Sequence, residues 1–261
     1  MSTKNANEIK KTVRQVYSKL AKQQSPCCAP PQESTCSCSQ PTPTTRTQHL
    51  YSKEELESIA IDIPSFGCGN PIALSELKPG ETVLDLGSGG GLDCFLAAKQ
   101  VGPSGKVIGL DMTPEMIRLA RANAEKMSLD NVEFRLGEME HMPVDSDSID
   151  VVISNCVINL SPDKDAVFRE AFRVLKPGGR LCVSDMVTHG ELPESVRQDL
   201  SQWACCIGGA LEEKVYLGKI RDAGFKRPKV VQSKIDSSTS DSCCGTPTTI
   251  VSIAVTAYKP K

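Results

Sequence analysis

Between Thr82 and Asp185 the chain alternates short apolar runs with amphipathic ones. Thr82–Leu86, Lys106–Asp111, Val132–Leu136, Ile149–Ser154 and Arg180–Asp185 are rich in Val, Ile and Leu and are predicted as strands. Stretches 91–101, Pro114–Met127 and 163–175 are predicted as helices, and Lys-Pro-Gly-Gly at 176–179 stops the last of them. Such alternation predicts an α/β fold, a central and mostly parallel sheet wound on both faces. Upstream, Ile9, Val13, Val16 and Leu20 fall four, three and four residues apart, which predicts an amphipathic helix over 8–23. A short helix over 52–60 follows, then the Gly-rich turn Phe66-Gly-Cys68-Gly-Asn-Pro71. Past the sheet, helices are predicted over 193–206 and 212–223 and strands over 226–235 and 250–258. The expected organisation is an N-terminal helix (1–24), a Cys/Pro/Ser-rich loop (25–50), a main domain (51–190) and a smaller C-terminal lobe (191–261).

Composition narrows the function classes. The 261 residues carry a net charge of −2, with no basic footprint for nucleic acid. No apolar run is long enough for a membrane span, and Met1–Lys22 lacks the apolar core of a signal peptide. A cytoplasmic protein, monomeric and without a nucleic-acid or membrane partner, is the expectation. That compartment changes the meaning of twelve cysteines. Under reducing conditions they point to metal binding, redox cycling or catalysis rather than to structural disulfides.

The turn after the first strand reads Val83-Leu-Asp85-Leu-Gly87-Ser-Gly89-Gly90-Gly91-Leu-Asp93, and Asp111 closes the second strand about twenty residues on. Glycines there let backbone N–H groups approach a ligand, and an acid at Asp111 suits ribose hydroxyls. A dinucleotide site would want a small third residue where Leu92 stands, and Asp85 would repel a pyrophosphate. An acid at Asp85 suits a cationic ligand instead. Acid-x-Gly-x-Gly-x-Gly with a ribose-binding acid resembles the Rossmann-like class I methyltransferases, whose methyl donor is S-adenosylmethionine. The resemblance implies a donor pocket drawing on Asp85, Gly87, Gly89, Gly91, Asp111, Met112, Glu138, Met139 and Asn155. Glu138 would accept from the adenine amine and Met139 would pack on its ring; a solvated acid and a core methionine remain the other reading of that pair.

Cys156 lies just past the fourth strand, at the carboxyl end where open α/β sheets bind ligands. Cys68 sits in the Gly-flanked turn, and Cys206 precedes Ile-Gly-Gly-Ala-Leu211. Cys94 and Cys182, in apolar contexts, are expected in the core. Structural zinc favours C-x₂₋₄-C pairs, and Cys36-x-Cys38 is too short. His49, His141 and His189 form no spaced cluster.

Phe-Gly-Cys68-Gly, Ser-Asn-Cys156-Val-Ile-Asn-Leu160 and Cys206-x-x-Gly-Ala-Leu211, set around that core, resemble the arsenite methyltransferase family from about Val13 to Phe225. The resemblance implies that Cys68, Cys156 and Cys206 hold As(III) through sulfur. It also implies a fourth, N-terminal cysteine in disulfide relay, Cys28 or its neighbour Cys27. Cys206 rather than Cys205 fits the family spacing. The expected partners are trivalent arsenic delivered as a glutathione or other thiol complex, and thioredoxin or glutathione as reductant, with no tightly bound metal cofactor. Thiolates suit a soft ion, and three-coordinate As(III) keeps a lone pair that can take a methyl group without a general base. Two other classes stay open: a methyltransferase of an organic small molecule, and a non-catalytic metalloid binder, which would have no use for Asp85, Gly87, Gly89 and Asp111. Cys243-Cys244 reads either as a metalloid-delivery pair or as idle surface thiols.

Overall fold

In the computed structural model the described residues are 3–23, 50–59, 61, 63, 65–233 and 248–261. Cys27, Cys28, Cys36, Cys38, Cys243 and Cys244 lie outside them, as does most of the expected 25–50 loop.

The apolar runs form β1 (Thr82–Leu86), β2 (Lys106–Asp111), β3 (Val132–Leu136) and β4 (Ile149–Asn155), all parallel neighbours in the order β3-β2-β1-β4. Successive side chains of these strands enter opposite layers. Leu84, Leu86 and Val152 belong to one core cluster, Val83, Val151 and Ile153 to the other. Burial on both faces is why these strands read as continuous apolar runs rather than as apolar–polar alternation. Helix α4 (Leu92–Val101) and α5 (Pro114–Met127) supply one layer, and α6 (Lys164–Val174) with α9 (Glu213–Asp222) the other. Strand order reverses beside β1, which opens a crevice at the carboxyl ends of β1 and β4.

Three elements differ from expectation. The fifth strand, β5 (Leu175–His189), is far longer than Arg180–Asp185. Its length is set by β8 (Thr249–Tyr258), which pairs with it antiparallel from Arg180↔Tyr258 to His189↔Thr249. Together with β7 (Lys226–Ser233), β8 extends the central sheet, so the C-terminal segment is divided. Its strands complete the sheet, and residues 191–212 bring Trp203 and Cys206 into one apolar cluster with Cys68 and Cys156. There the single helix expected over 193–206 breaks into α7 (Glu194–Gln198) and α8 (Leu200–Ala204). Asp199 is extended (ψ 109°) and caps α8 by accepting from Ser201 N–H at 2.8 Å.

Two short helices precede the sheet, α2 (Lys53–Ser58) and α3 (Pro71–Ser75), capped by Ser52 and Asn70. The N-terminal α1 (Thr3–Gln23) buries Ile9, Val13 and Leu20 and packs on α5 and α8. The two-residue β6 (Leu211–Glu212) pairs with β5 ahead of α9. Among the described residues no helix is long and apolar enough to cross a membrane.

Candidate active site

The crevice holds a pocket with about 980 Å³ of empty space, open mouth included. Its floor is the turn from β1 to α4. Gly87 has φ 68°, a left-handed conformation that glycine adopts freely, and a Cβ there would overlap Val157. Gly87 therefore lets the Cys156–Val157 turn close over the pocket. Gly89 lines the pocket, and its N–H donates to Asp111 at 3.0 Å, while Thr113 N–H donates to the other carboxylate oxygen at 2.8 Å. Burial raises Asp111, and these two bonds pull it back. Ser88 is on the same wall, its buried hydroxyl without a hydrogen-bond partner among the described residues. Met112, Met139 and Asn155 also line the pocket.

Three of the residues expected at this pocket do not line it. Asp85 is 2 % exposed and lies beneath the wall, accepting from the Cys94 thiol at 3.1 Å. Burial and the nearby Asp93 push its carboxyl well above the usual range. Gly91 (φ 97°) backs onto the rings of Phe95 and Phe134 and serves packing. Glu138 turns away: Lys10 Nζ donates to it at 2.7 Å and Arg14 at 3.1 Å, and these cations hold it below the usual range. Gly137, Met139 and Glu140 form that wall.

Asp93 also lines the pocket, an acid that sequence reasoning did not single out. It accepts from Tyr51 Oη at 2.8 Å and from Asn155 Nδ2 at 3.2 Å. Burial raises it to about 6, against the pull of those two bonds. Asn155 Oδ1 in turn accepts from Cys68 N–H at 3.0 Å and Gly69 N–H at 3.2 Å. One carboxamide thus joins the pocket to the Cys68 loop. A Cβ on Gly67 would overlap it, which explains the glycine. An acid in the first turn of a helix reads locally as a dipole partner, so nothing nearby in sequence marked Asp93 or Tyr51. Nor did spacing reveal that α1 roofs the pocket with Lys10, Val13 and Tyr17.

Behind this pocket three thiols from remote segments meet. Cys156 follows β4 directly with φ 61°, its N–H bonded to Ser184 O at 2.7 Å. Cys206 follows α8 with φ 64°, its N–H bonded to Trp203 O at 3.0 Å and its Sγ to Cys156 O at 2.7 Å. Cys68 is held from the other side, its carbonyl accepting from Ser252 Oγ at 3.1 Å. All three are buried in one apolar cluster with Ile9, Val13, Leu160 and Trp203, whereas Cys205 is half-buried outside it. Hydrogen bonds from Cys206 and Cys68, and then burial, push the Cys156 thiol well up. Cys156 lines the pocket, and the other two stand behind it. Among the described residues no three His, Cys, Asp or Glu side chains have the spacing of a metal site. The trio is accordingly a set of neighbouring S–H groups rather than a closed chelate. Such a set can take up a soft, three-coordinate ion by thiol exchange. Cys94 and Cys182 are core residues, fully buried in the α4 layer.

A family model described as a methyltransferase domain matches residues 77–234. An arsenite methyltransferase of Halobacterium salinarum is 43 % identical over 88 % of this chain and 60 % of its own length. One from Mus musculus is 35 % identical over 90 % of this chain and 62 % of its own. The chain therefore spans about three fifths of the length of these curated relatives. Among solved structures, an arsenic(III) S-adenosylmethionine methyltransferase from Chlamydomonas reinhardtii superposes with a TM-score of 0.67 at 36 % identity, over 79 % of this chain and 74 % of that one. A likeness that keeps both the sheet and the sequence over three quarters of a solved chain is one of descent, and this chain belongs to the arsenite methyltransferase family.

Proposed function

We propose that the chain transfers methyl groups from S-adenosylmethionine to trivalent arsenic held by Cys68, Cys156 and Cys206. The observation that carries this reading is the convergence of three buried thiols from separate segments, one of them on the wall of the pocket beside the glycine turn. The donor set fits the cofactor: backbone N–H groups at a glycine turn, an unpartnered Ser88 hydroxyl, and the acids Asp93 and Asp111 facing a ligand that carries positive charge. When bound, S-adenosylmethionine supplies an electrophilic methyl group.

The residues divide the remaining work. Asp111 is held by Gly89 and Thr113 in position for ribose hydroxyls. Asp93, fixed by Tyr51 and Asn155, gives the donor's ammonium a counter-charge. Val13 and Tyr17 exclude water from above. Arsenic arrives as a glutathione or other thiol complex. Each cysteine displaces one incoming thiolate, and the cysteine proton goes to that leaving group. The trio leaves a lone pair on arsenic, so catalysis rests on holding it in line with the methyl group, worth ~7–11 kcal/mol when two reactants are fixed together. Methylation oxidises arsenic formally to As(V). A pair of thiols closing a disulfide returns two electrons, and thioredoxin or glutathione reopens it. Cys28 or Cys27 would complete that pair.

The test supplies the purified chain with arsenite, S-adenosylmethionine and a thiol reductant and separates arsenic species by chromatography with elemental mass detection. Methylated arsenicals are the expected product. Their absence overturns the reading, and tight arsenite binding without product would mark a metalloid binder instead.

A further inference from the structure

Lys164, the first residue of α6, faces inward and is 6 % exposed. Its ammonium donates to the carbonyl oxygens of Asn159 at 3.2 Å and Ser161 at 2.9 Å, and lies 5.2 Å from the centre of the Trp203 ring. Burying an ammonium is unfavourable unless its donors are satisfied. Burial lowers Lys164 to about 8, with Asp185 and Cys206 acting the other way. Asp185 supplies counter-charge, but its own bonds run to Tyr216 Oη at 3.1 Å and Met186 N–H at 3.1 Å.

The partners of the ammonium belong to two different segments. Asn159 and Ser161 close the turn that carries Cys156. Trp203 lies in α8, and its carbonyl accepts from Cys206 N–H. The two turns are in direct contact, since a Cβ on Gly209 would overlap Asn159 O. We infer that Lys164 is a positioning residue that fastens the Cys156 turn to the Cys206 turn and so sets the separation of those two sulfurs. Cys68 is tied independently, through Asn155 and Ser252. The inference rests on the proposed arsenic-holding role of the trio. A guanidinium can donate to both carbonyls and stack on the indole. A methionine fills the space but leaves both carbonyls without a cation.

Arsenite alone is the probe, and As K-edge X-ray absorption, with no methyl donor present, counts As–S bonds. Wild type is expected to show three. Lys164→Met is expected to show two, with about tenfold weaker arsenite binding, as fits the loss of a buried charged hydrogen bond. Donor affinity by calorimetry should stay close to wild type, and the unfolding midpoint should fall, since two buried carbonyls lose their partner. Lys164→Arg should restore three bonds. Should Lys164→Met not fold, Lys164→Gln is read by the same count. Three As–S bonds and wild-type affinity in the folded Met or Gln variant overturn the inference, as does a folded Arg variant that fails to restore them. If wild type itself shows fewer than three, the arsenic-holding reading falls, before any variant is made.

Discussion

Asp93 carries a carboxyl into a wall that water barely reaches, with two neutral donors, Tyr51 and Asn155, for company. Its ordinary value of 3.8 is raised to about 6 by burial. A carboxyl that holds its proton more tightly folded than unfolded favours the native state most below pH 4, and that advantage is lost as pH rises to about 6. The gap from 3.8 to about 6 corresponds to about 3 kcal/mol. Asp93→Asn is neutral throughout, so its stability relative to wild type should rise by roughly that amount between pH 4 and 6 and stay level on either side. Urea melts of both proteins at half-unit pH steps measure it; a constant difference would mean that Asp93 is solvated. The strain has a purpose in the proposed function, because a cationic donor offsets what ionisation costs the empty pocket. At this scale the sequence revealed what depends on residue type and missed what depends on tertiary neighbours. Cys68, Cys156 and Cys206 stood out as thiols in Gly-rich or strand-end settings. Glu138 stood out equally and faces Lys10 and Arg14 of a helix more than a hundred residues earlier in the chain.

Helix α1 shows what periodicity can and cannot supply. Ile9, Val13 and Leu20 gave away the helix and its buried stripe, but not the surface that the stripe covers. That surface is the thiol cluster and the open side of the pocket beside β1 and β4. Outside the stripe α1 is held by Lys10 and Arg14 to Glu138, with Lys10 also near Glu140 at 3.1 Å. Part-exposed pairs of this kind contribute little, typically below about 1 kcal/mol each, so apolar burial is what keeps the roof on. Val13→Asp puts a charge at the centre of that contact. It should abolish amide-exchange protection across 3–23 while leaving β1, β2 and α5 protected. Donor affinity should fall about tenfold or more, the loss of one well-buried aliphatic contact being worth about 1.5–3 kcal/mol. A detached helix with unchanged donor affinity would mean that α1 is no part of the pocket. The break at Asp199 was illegible for a related reason: the apolar spacing over 193–206 fits one helix, and only the seating of Trp203 against Gly208 and Gly209 requires two.

Across the whole molecule, the parallel half of the sheet was legible because each strand is buried on both faces and each connection is a helix. The antiparallel half was not, since the partner of β5 is β8, which lies beyond three helices, β6 and β7. That long-range pairing matters to the site. Ser252 on β8 holds the Cys68 carbonyl, and Ser184 on β5 holds the Cys156 N–H. The trio is thus assembled from residue 68, the end of β4 and the end of α8 on one frame, and no segment alone makes a partial site. Groups that act as one unit lose function together, so their effects do not multiply. Cys68→Ser, Cys156→Ser and Cys206→Ser should each lower the arsenite methylation rate by about a hundredfold or more, and the triple variant should be less than about tenfold worse than any single one. Cys182→Ala removes a core thiol that faces Leu74 O at 4.0 Å. It should keep the rate and lose about 1 kcal/mol of stability to the small cavity left behind. Initial rates and urea melts on the same preparations separate the two kinds of cysteine. Single serine variants whose losses multiply in the triple, or a Cys182→Ala variant that stops methylating, would show that the thiols do not work as the set their convergence suggests.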